Sequence, residues 1–377
     1  MTGFKDRIQH YEQIKREKEA GKFHYIPFDN HLPRLSKYVP GIIPGIGYQI
    51  LANSGVGKSK LLRFMFLQIP YDFVKSNPDS GITFKFIINA LEESTEELID
   101  SFVINRIQRK YGIKLSINDL NGYSSRTLTD KIIQCIHTER EYFADLEKHM
   151  IILNEGNPFG FYKKVREYAE QNGKFYSQDD TVLTDTKKGW KTYIPDNPNE
   201  IVICASDHIW LYSAESKMSK YESVQNLSSY YQRQIMNLKF GYATVIVQQQ
   251  ESNKEKKEFT YTGQNIVEKL EPDLSSGGDI KILQRDQLVI FGLFSPYRYK
   301  IPEYRGYNIK ELKDSARFLF VLKNRRGREG LIDPLFFNGA AETFEELPLP
   351  YTDEEEPSSN PALIPYYRKA KSLNDTV

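Results

Sequence analysis

Apolar positions in this chain gather in short continuous runs, with longer mixed-charge stretches between them. YQILA (48–52), TFKFIINAL (83–91), MIIL (150–153), EIVICAS (200–206), ATVIVQQ (243–249), QLVIFGLF (287–294) and RFLFVLKN (317–324) are such runs. Continuous apolar runs of this length predict strands buried on both faces. KLLRFMFLQI (60–69), STEELIDSFVINRIQRKYG (94–112) and stretches near 125–149, 159–171 and 220–238 predict helices between them. Strands alternating with helices predict an α/β fold: a mostly parallel central sheet flanked by helices.

The chain ends read differently. Phe4, Ile8, Tyr11 and Ile14 recur at helical spacing among charges, predicting an amphipathic helix over 4–20 that stops at Gly21. A stripe that thin builds no core of its own, so the helix is expected to dock on another surface. Residues 172–199 read as a polar insertion with a hairpin near Trp190, and 252–281 as a polar loop region. The chain thus divides into an N-terminal linker and docking helix (1–25), a main domain (26–348) and a tail without its own core (349–377).

Charge and cysteine content narrow the class. The 51 Lys and Arg balance 50 Asp and Glu, which excludes a polycation but leaves room for a local basic stripe. Cys135 and Cys204 are the only cysteines, so a disulfide framework and a Cys-rich zinc module are excluded. No apolar run reaches the roughly 18–20 residues that span a bilayer, and the start is polar. A cytoplasmic protein with no membrane partner is expected.

The sharpest motif is Ala52-Asn53-Ser54-Gly55-Val56-Gly57-Lys58-Ser59, a phosphate-loop pattern with Ala in place of the first Gly. It follows one predicted strand and opens one predicted helix. Gly55 and Gly57 let backbone N–H groups wrap a phosphate, and the helix N-terminus favours its charge. Ser54, Gly55, Val56, Gly57, Lys58, Ser59 and Lys60 are therefore nucleotide-binding candidates, with Lys58 on the β- and γ-phosphates and the Ser59 hydroxyl on Mg²⁺. Asp207 ends the strand EIVICAS, where an acid can hold the Mg²⁺ water shell; a solvated strand-end Asp is the plainer alternative.

Other strand ends offer less specific chemistry. Glu92 follows TFKFIINAL and could polarise an attacking water. Glu93 competes with it, and helix capping before Ser94 is the alternative for both. Gln248, Gln249 and Gln250 end another strand, where an amide could sense a γ-phosphate. Lys323-Asn324-Arg325-Arg326-Gly327-Arg328 is either a solvated hairpin tip or an arginine finger for a neighbour.

In order and spacing these pieces resemble the helicase domain of hexameric replicative helicases: the bacterial DnaB type, its phage relatives and mitochondrial Twinkle. The resemblance covers about residues 26–345 and implies a RecA-like ATPase fold. Leu91-Glu92-Glu93-Ser94 resembles the family's block after the second strand, which makes Glu92 the catalytic base. Asp207-His208 resembles the Asp-His of phage members. Gln249 falls at the γ-phosphate sensor, and Lys323-Asn324-Arg325 resembles a Lys-x-Arg pair in which Lys323 and Arg325 reach the adjacent subunit's ATP. Phe337, before Asn338-Gly339, falls where phage relatives stack an aromatic on adenine. Leu274-Ser275-Ser276-Gly277-Gly278 resembles the DNA loop, without its Arg. Lys254, Lys257, Gly277, Gly278 and Lys281 are the implied contacts to single-stranded DNA, although Glu251, Glu255 and Glu258 interleave with the first lysines.

The resemblance implies ATP and Mg²⁺ as ligands, a hexameric homo-oligomer, single-stranded DNA as substrate, and a separate primase or loader as partner. No primase domain or helical collar is expected within these 377 residues. Two rivals remain: a RadA-like recombination or branch-migration ATPase, and an ATP-dependent loader or switch that does not unwind DNA.

Overall fold

The computed structural model describes residues 4–186, 189–250, 270–277, 281–351 and 360–374. Nine strands form the main sheet: β1 (Gly47–Ala52), β2 (Thr83–Ala90), β3 (Met150–Leu153), β4 (Glu200–Asp207), β5 (Ala243–Gln249), β6 (Val289–Phe294), β7 (Ala316–Asn324), β8 (Ile332–Asn338) and β9 (Thr343–Glu346). Their order is β9-β8-β7-β6-β1-β5-β4-β2-β3. The six strands from β6 to β3 are parallel. The last three are added antiparallel as a meander. The expected mostly parallel sheet is present, and its antiparallel extension lies largely beyond the runs that announced strands.

Both faces of the parallel part are covered, which explains the absence of alternation. Phe84, Phe86 and Ile88 of β2, with Val245 and Val247 of β5, share one core with Leu61, Leu62, Met65 and Phe66. Those four lie on the helix that starts as α2 (Lys58–Arg63) and continues through a π-type stretch to Ser76. The opposite face carries Ile87, Cys204 and Ile246, packed under Phe161, Val165, Leu227 and Ile235. A third cluster sits at the antiparallel end around Phe294, Phe318 and Phe336.

One segment departs from expectation. The C-terminal stretch, read as a tail, forms a helix at Ile364–Asn374. It borrows the third core: Leu363 and Ala370 are fully buried there, and Tyr366 and Leu373 pack beside them. The insertion is a hairpin of Gly173–Tyr176 against Thr192–Pro195, anchored by aromatic rings more than its polar composition suggests. Trp190 stacks on Phe240 at 5.4 Å, with the Lys239 ammonium 4.4 Å over its ring. The N-terminal helix, α1 (Phe4–Glu19), keeps its apolar stripe outside: Phe4 is 93%, Ile8 57% and Tyr11 59% exposed.

The helical layer beside β2 contains a buried carboxylate that locks it. Helix α3 (Thr95–Tyr111) begins with a capping box between Ser94 and Glu97. Near its other end, Arg106 and Lys110 each donate to Glu139 at 2.5 Å, and the Tyr111 hydroxyl donates at 2.8 Å. Burial works to raise the Glu139 pKa, but these three donors outweigh it and hold the carboxyl at about 2. A depressed carboxyl stabilises the fold above its unfolded pKa and loses that contribution as pH falls through its folded pKa. We therefore expect Glu139→Gln to cost about 2–3 kcal/mol at neutral pH. The cost should shrink toward zero as the pH falls from about 4 to about 2. Urea unfolding of both proteins at a series of pH values checks this; a pH-independent cost would refute the assignment.

Candidate functional site

Strand register assembles the candidate site. Ala52, at the end of β1, pairs with Gln249 on β5 and with Leu293 on β6. Ala90, at the end of β2, pairs with Asp207 on β4, and the Leu91 N–H donates to the Asp207 carbonyl at 3.0 Å. Four adjacent parallel strands thus deliver the phosphate loop, Gln249, Asp207 and Glu92 to one end of the sheet, where ligands of open parallel sheets bind.

The loop itself is shaped by close approach. Gly57 has φ 102°, and a Cβ there would come 3.3 Å from the Phe337 ring. Both the backbone angle and the space therefore favour glycine. Lys58 begins α2, is buried, and donates from Nζ to the Asn53 carbonyl at 3.1 Å. Burial pulls its pKa down, while Glu92 and Asp207 push it back up.

Asp207 is 6% exposed, and its Oδ1 is buried without a hydrogen-bond partner. Burial raises its pKa to about 6; the Ser59 hydroxyl and the Arg63 charge act in the opposite direction. A buried carboxylate with a free oxygen beside a hydroxyl fits a Mg²⁺ site in which substrate phosphates and water supply the remaining ligands. Among the described residues no cluster of three or more His, Cys, Asp or Glu could hold a metal alone.

The structure separates Glu92 from Glu93. Glu93 accepts from Arg63 at 3.2 Å, and Ser94, not either glutamate, caps α3. Glu92 is exposed at the strand end and acts electrostatically on Lys58, Asp207 and His208. Strand alternation likewise separates the glutamines. Gln248 is fully buried, and its Oε1 accepts from Gln49 at 2.5 Å. Gln249, on the opposite face with Val247, lies beside His208.

Several expected contacts do not fit. The Lys60 ammonium donates to the Gly339 carbonyl at 2.7 Å, on the turn after β8, so it is engaged away from the phosphates. Phe337 is 6% exposed, stacked on Phe344 at 4.7 Å with the Arg317 guanidinium 4.6 Å over its ring. With both faces covered it has none for adenine; it is a core ring beneath the phosphate loop. Lys323 donates to the carbonyls of Gln284, Arg285 and Gln287, which caps the helix Lys281–Asp286 and occupies its three donors.

Arg325 is exposed at the start of the β7–β8 turn. Val289 pairs with Asn324 while Leu293 pairs with Ala52, so Arg325 and the phosphate loop lie at opposite ends of β6. Four residues of strand separate them, about 13 Å along β6. Of the DNA candidates, Lys254, Lys257 and Gly278 lie outside the described residues. Gly277 ends a short turn at Leu274–Gly277, and Lys281 opens the helix Lys281–Asp286.

Three arginines at the site were not anticipated from the sequence. Arg298, four residues past β6, donates to the Ser54 carbonyl, while Asn53 donates to the Tyr299 hydroxyl. Arg317 is fully buried; its Nε donates to the Val56 carbonyl at 2.7 Å and supports the loop from below. Arg63 forms a two-pronged pair with buried Glu342, at 2.8 and 2.6 Å, and also holds Glu93. The only sequence signal for Arg298 is its position just after a parallel strand.

No protein-family model matches the sequence, and no curated protein matches it. Solved structures do match. A helicase ATPase domain aligns with TM-score 0.63 at 14% identity, over 91% of this chain and 98% of that one. A DnaB-like replicative helicase, whose structure addresses its interactions with primase, aligns with TM-score 0.61 at 14% identity, over 90% of this chain. This chain spans 66% of that protein's length. The likeness shows the fold: a RecA-like α/β domain.

Proposed function

We propose that this chain is an ATP-driven DNA motor of the DnaB-like helicase family, assembled as a ring of identical subunits. The observation that carries the reading is the register that gathers Lys58, Ser59, Glu92, Asp207 and Gln249 at one sheet end, with Arg325 at the other. In a subunit built this way Arg325 lies at the far end of β6 from its own phosphate loop. A second copy can supply Arg325, and the exposed stripe of α1 supports a docking contact between copies. A hexamer is the ring size of the family it resembles.

The roles follow from position. Lys58 and the loop N–H groups bind the β- and γ-phosphates. Ser59 and Asp207 would hold Mg²⁺, whose positive charge would add to that of Lys58 against the phosphate oxygens. Glu92 accepts a proton from the attacking water, and Gln249 reports the γ-phosphate. Arg325 of the neighbour stabilises the transferring group. Lys323, fixed on the helix Lys281–Asp286, acts as a positioning residue that ties the finger's hairpin to the segment carrying Gly277 and Lys281. Hydrolysis would then be transmitted to single-stranded DNA held by Lys254, Lys257, Gly277, Gly278 and Lys281. No helix among the described residues is long and apolar enough to cross a membrane. A separate primase or loader would complete the system.

The test is ATP hydrolysis with and without single-stranded DNA, for the wild type and for Arg325→Ala. Stimulation by DNA and its loss in the variant are expected. Arg325→Ala should lower the rate by about 10³-fold or more. An unstimulated rate that survives the substitution would leave a loader or switch ATPase, and strand exchange without unwinding would favour the RadA-like reading.

A further inference from the structure

A groove between the short helix Ile309–Leu312 and the C-terminal helix Ile364–Asn374 carries unbalanced positive charge. Its volume is about 750 Å³, within the range of ligand-binding clefts. Lys310 and Lys313 line one wall, Arg368 and Lys371 the other, and Glu311 is the one acid among its lining residues. On the C-terminal helix, Ile364, Tyr367, Arg368 and Lys371 recur at helical spacing and form one stripe along the groove. Leu363 and Ala370, off that stripe, are buried in the core.

Several cations elsewhere in the chain are matched by a nearby carboxylate, and those of this groove are not. Arg34 is paired with Asp333, Arg106 and Lys110 with Glu139, and Lys369 with Glu345. Lys310, Arg368 and Lys371 are exposed and have no ion-pair partner among the described residues. Like charges facing each other across a cleft repel, and an anion lying between them relieves that repulsion. Ile364 is 47% exposed, and Tyr367, half-buried against the third core, lines the groove beside Arg368. Cations interleaved with an aromatic ring suit single-stranded nucleic acid, which offers phosphates and base faces together. A purely acidic peptide would leave the ring unused.

We propose that this groove is a second binding surface for single-stranded DNA, outside the loops assigned to the translocated strand. It rests on the reading of the chain as a DNA motor, and the strand it would hold is the one displaced from the duplex. Phosphates contact Lys310, Arg368 and Lys371, and a base stacks on Tyr367.

The experiment measures the affinity of the full-length protein for a labelled oligo-dT 60-mer between 50 and 200 mM salt. The variants are the triple substitution Lys310→Gln, Arg368→Gln, Lys371→Gln, and separately Tyr367→Ala. Removing three phosphate contacts should reduce the slope of log K against log salt by about 2. Tyr367→Ala should weaken binding roughly tenfold and leave that slope unchanged. DNA-stimulated ATP hydrolysis should persist in the triple variant, whose changes lie outside the nucleotide site. An unchanged slope with DNA binding intact would overturn the groove assignment alone. Preferential capture of poly-glutamate over oligo-dT by the groove would also overturn it. Absence of any DNA binding by the wild type would instead remove the motor reading beneath it.

Discussion

Glu92→Gln is expected to lower the ATP turnover rate by about 10²–10⁴-fold, the usual contribution of a positioned base. Nucleotide affinity should stay near the wild-type value. The substitution removes the proton acceptor and keeps size and hydrogen-bonding capacity, while Lys58, Ser59 and Asp207 remain to bind phosphate and metal. The neighbouring Glu93 is the built-in control. Its carboxylate is 34% exposed and paired with Arg63. Pairs of that kind contribute about 1 kcal/mol or less. Glu93→Gln should therefore change the rate by less than about tenfold. Steady-state hydrolysis and fluorescent-nucleotide titration on both variants separate the roles. A larger loss for Glu93→Gln than for Glu92→Gln would exchange the assignments.

The second large effect concerns the pair beneath the site. Arg63 and Glu342 are each 5% exposed and joined at 2.6 Å, so removing one leaves the other charged and dry. Burial works against the charge on both; the mutual attraction lowers the Glu342 carboxyl pKa and raises that of Arg63. Arg63→Met should cost about 3–5 kcal/mol of unfolding free energy. The double substitution Arg63→Met with Glu342→Leu should recover most of that loss, because an apolar pair of similar volume avoids the desolvation. Denaturant unfolding of the three proteins checks the stability claim. A nearly neutral single substitution would mean that the pair is solvated in solution.

Much of the candidate site was legible because it lies at strand ends. An apolar run fixes where a strand stops, and the fold places those stops together, so Lys58, Asp207 and Glu92 could be nominated from spacing. The structure then set apart residues that spacing left side by side: alternation puts Gln249 and Gln248 on opposite faces, and Glu93, unlike Glu92, meets Arg63. The misreadings share one cause. Lys60, Lys323 and Phe337 are engaged by partners distant in sequence. Lys60 reaches a carbonyl 279 positions away, and Phe337 lies against a loop in another quarter of the chain. The same distance hid Arg317, which is 261 positions from the carbonyl it supports. The C-terminal helix was missed because its few apolar residues make no core alone. Their helical spacing has meaning only beside Phe318 and Phe336, which other strands supply.

Strand displacement from a forked duplex tests the central claim most directly. Labelled fork DNA is incubated with ATP and Mg²⁺, using wild-type protein and the Lys58→Ala variant, and released strand is followed over time. The account predicts ATP-dependent release by the wild type, none by the variant, and none when a non-hydrolysable ATP analogue replaces ATP. Robust ATP hydrolysis by the wild type with no strand release on any fork polarity would contradict it.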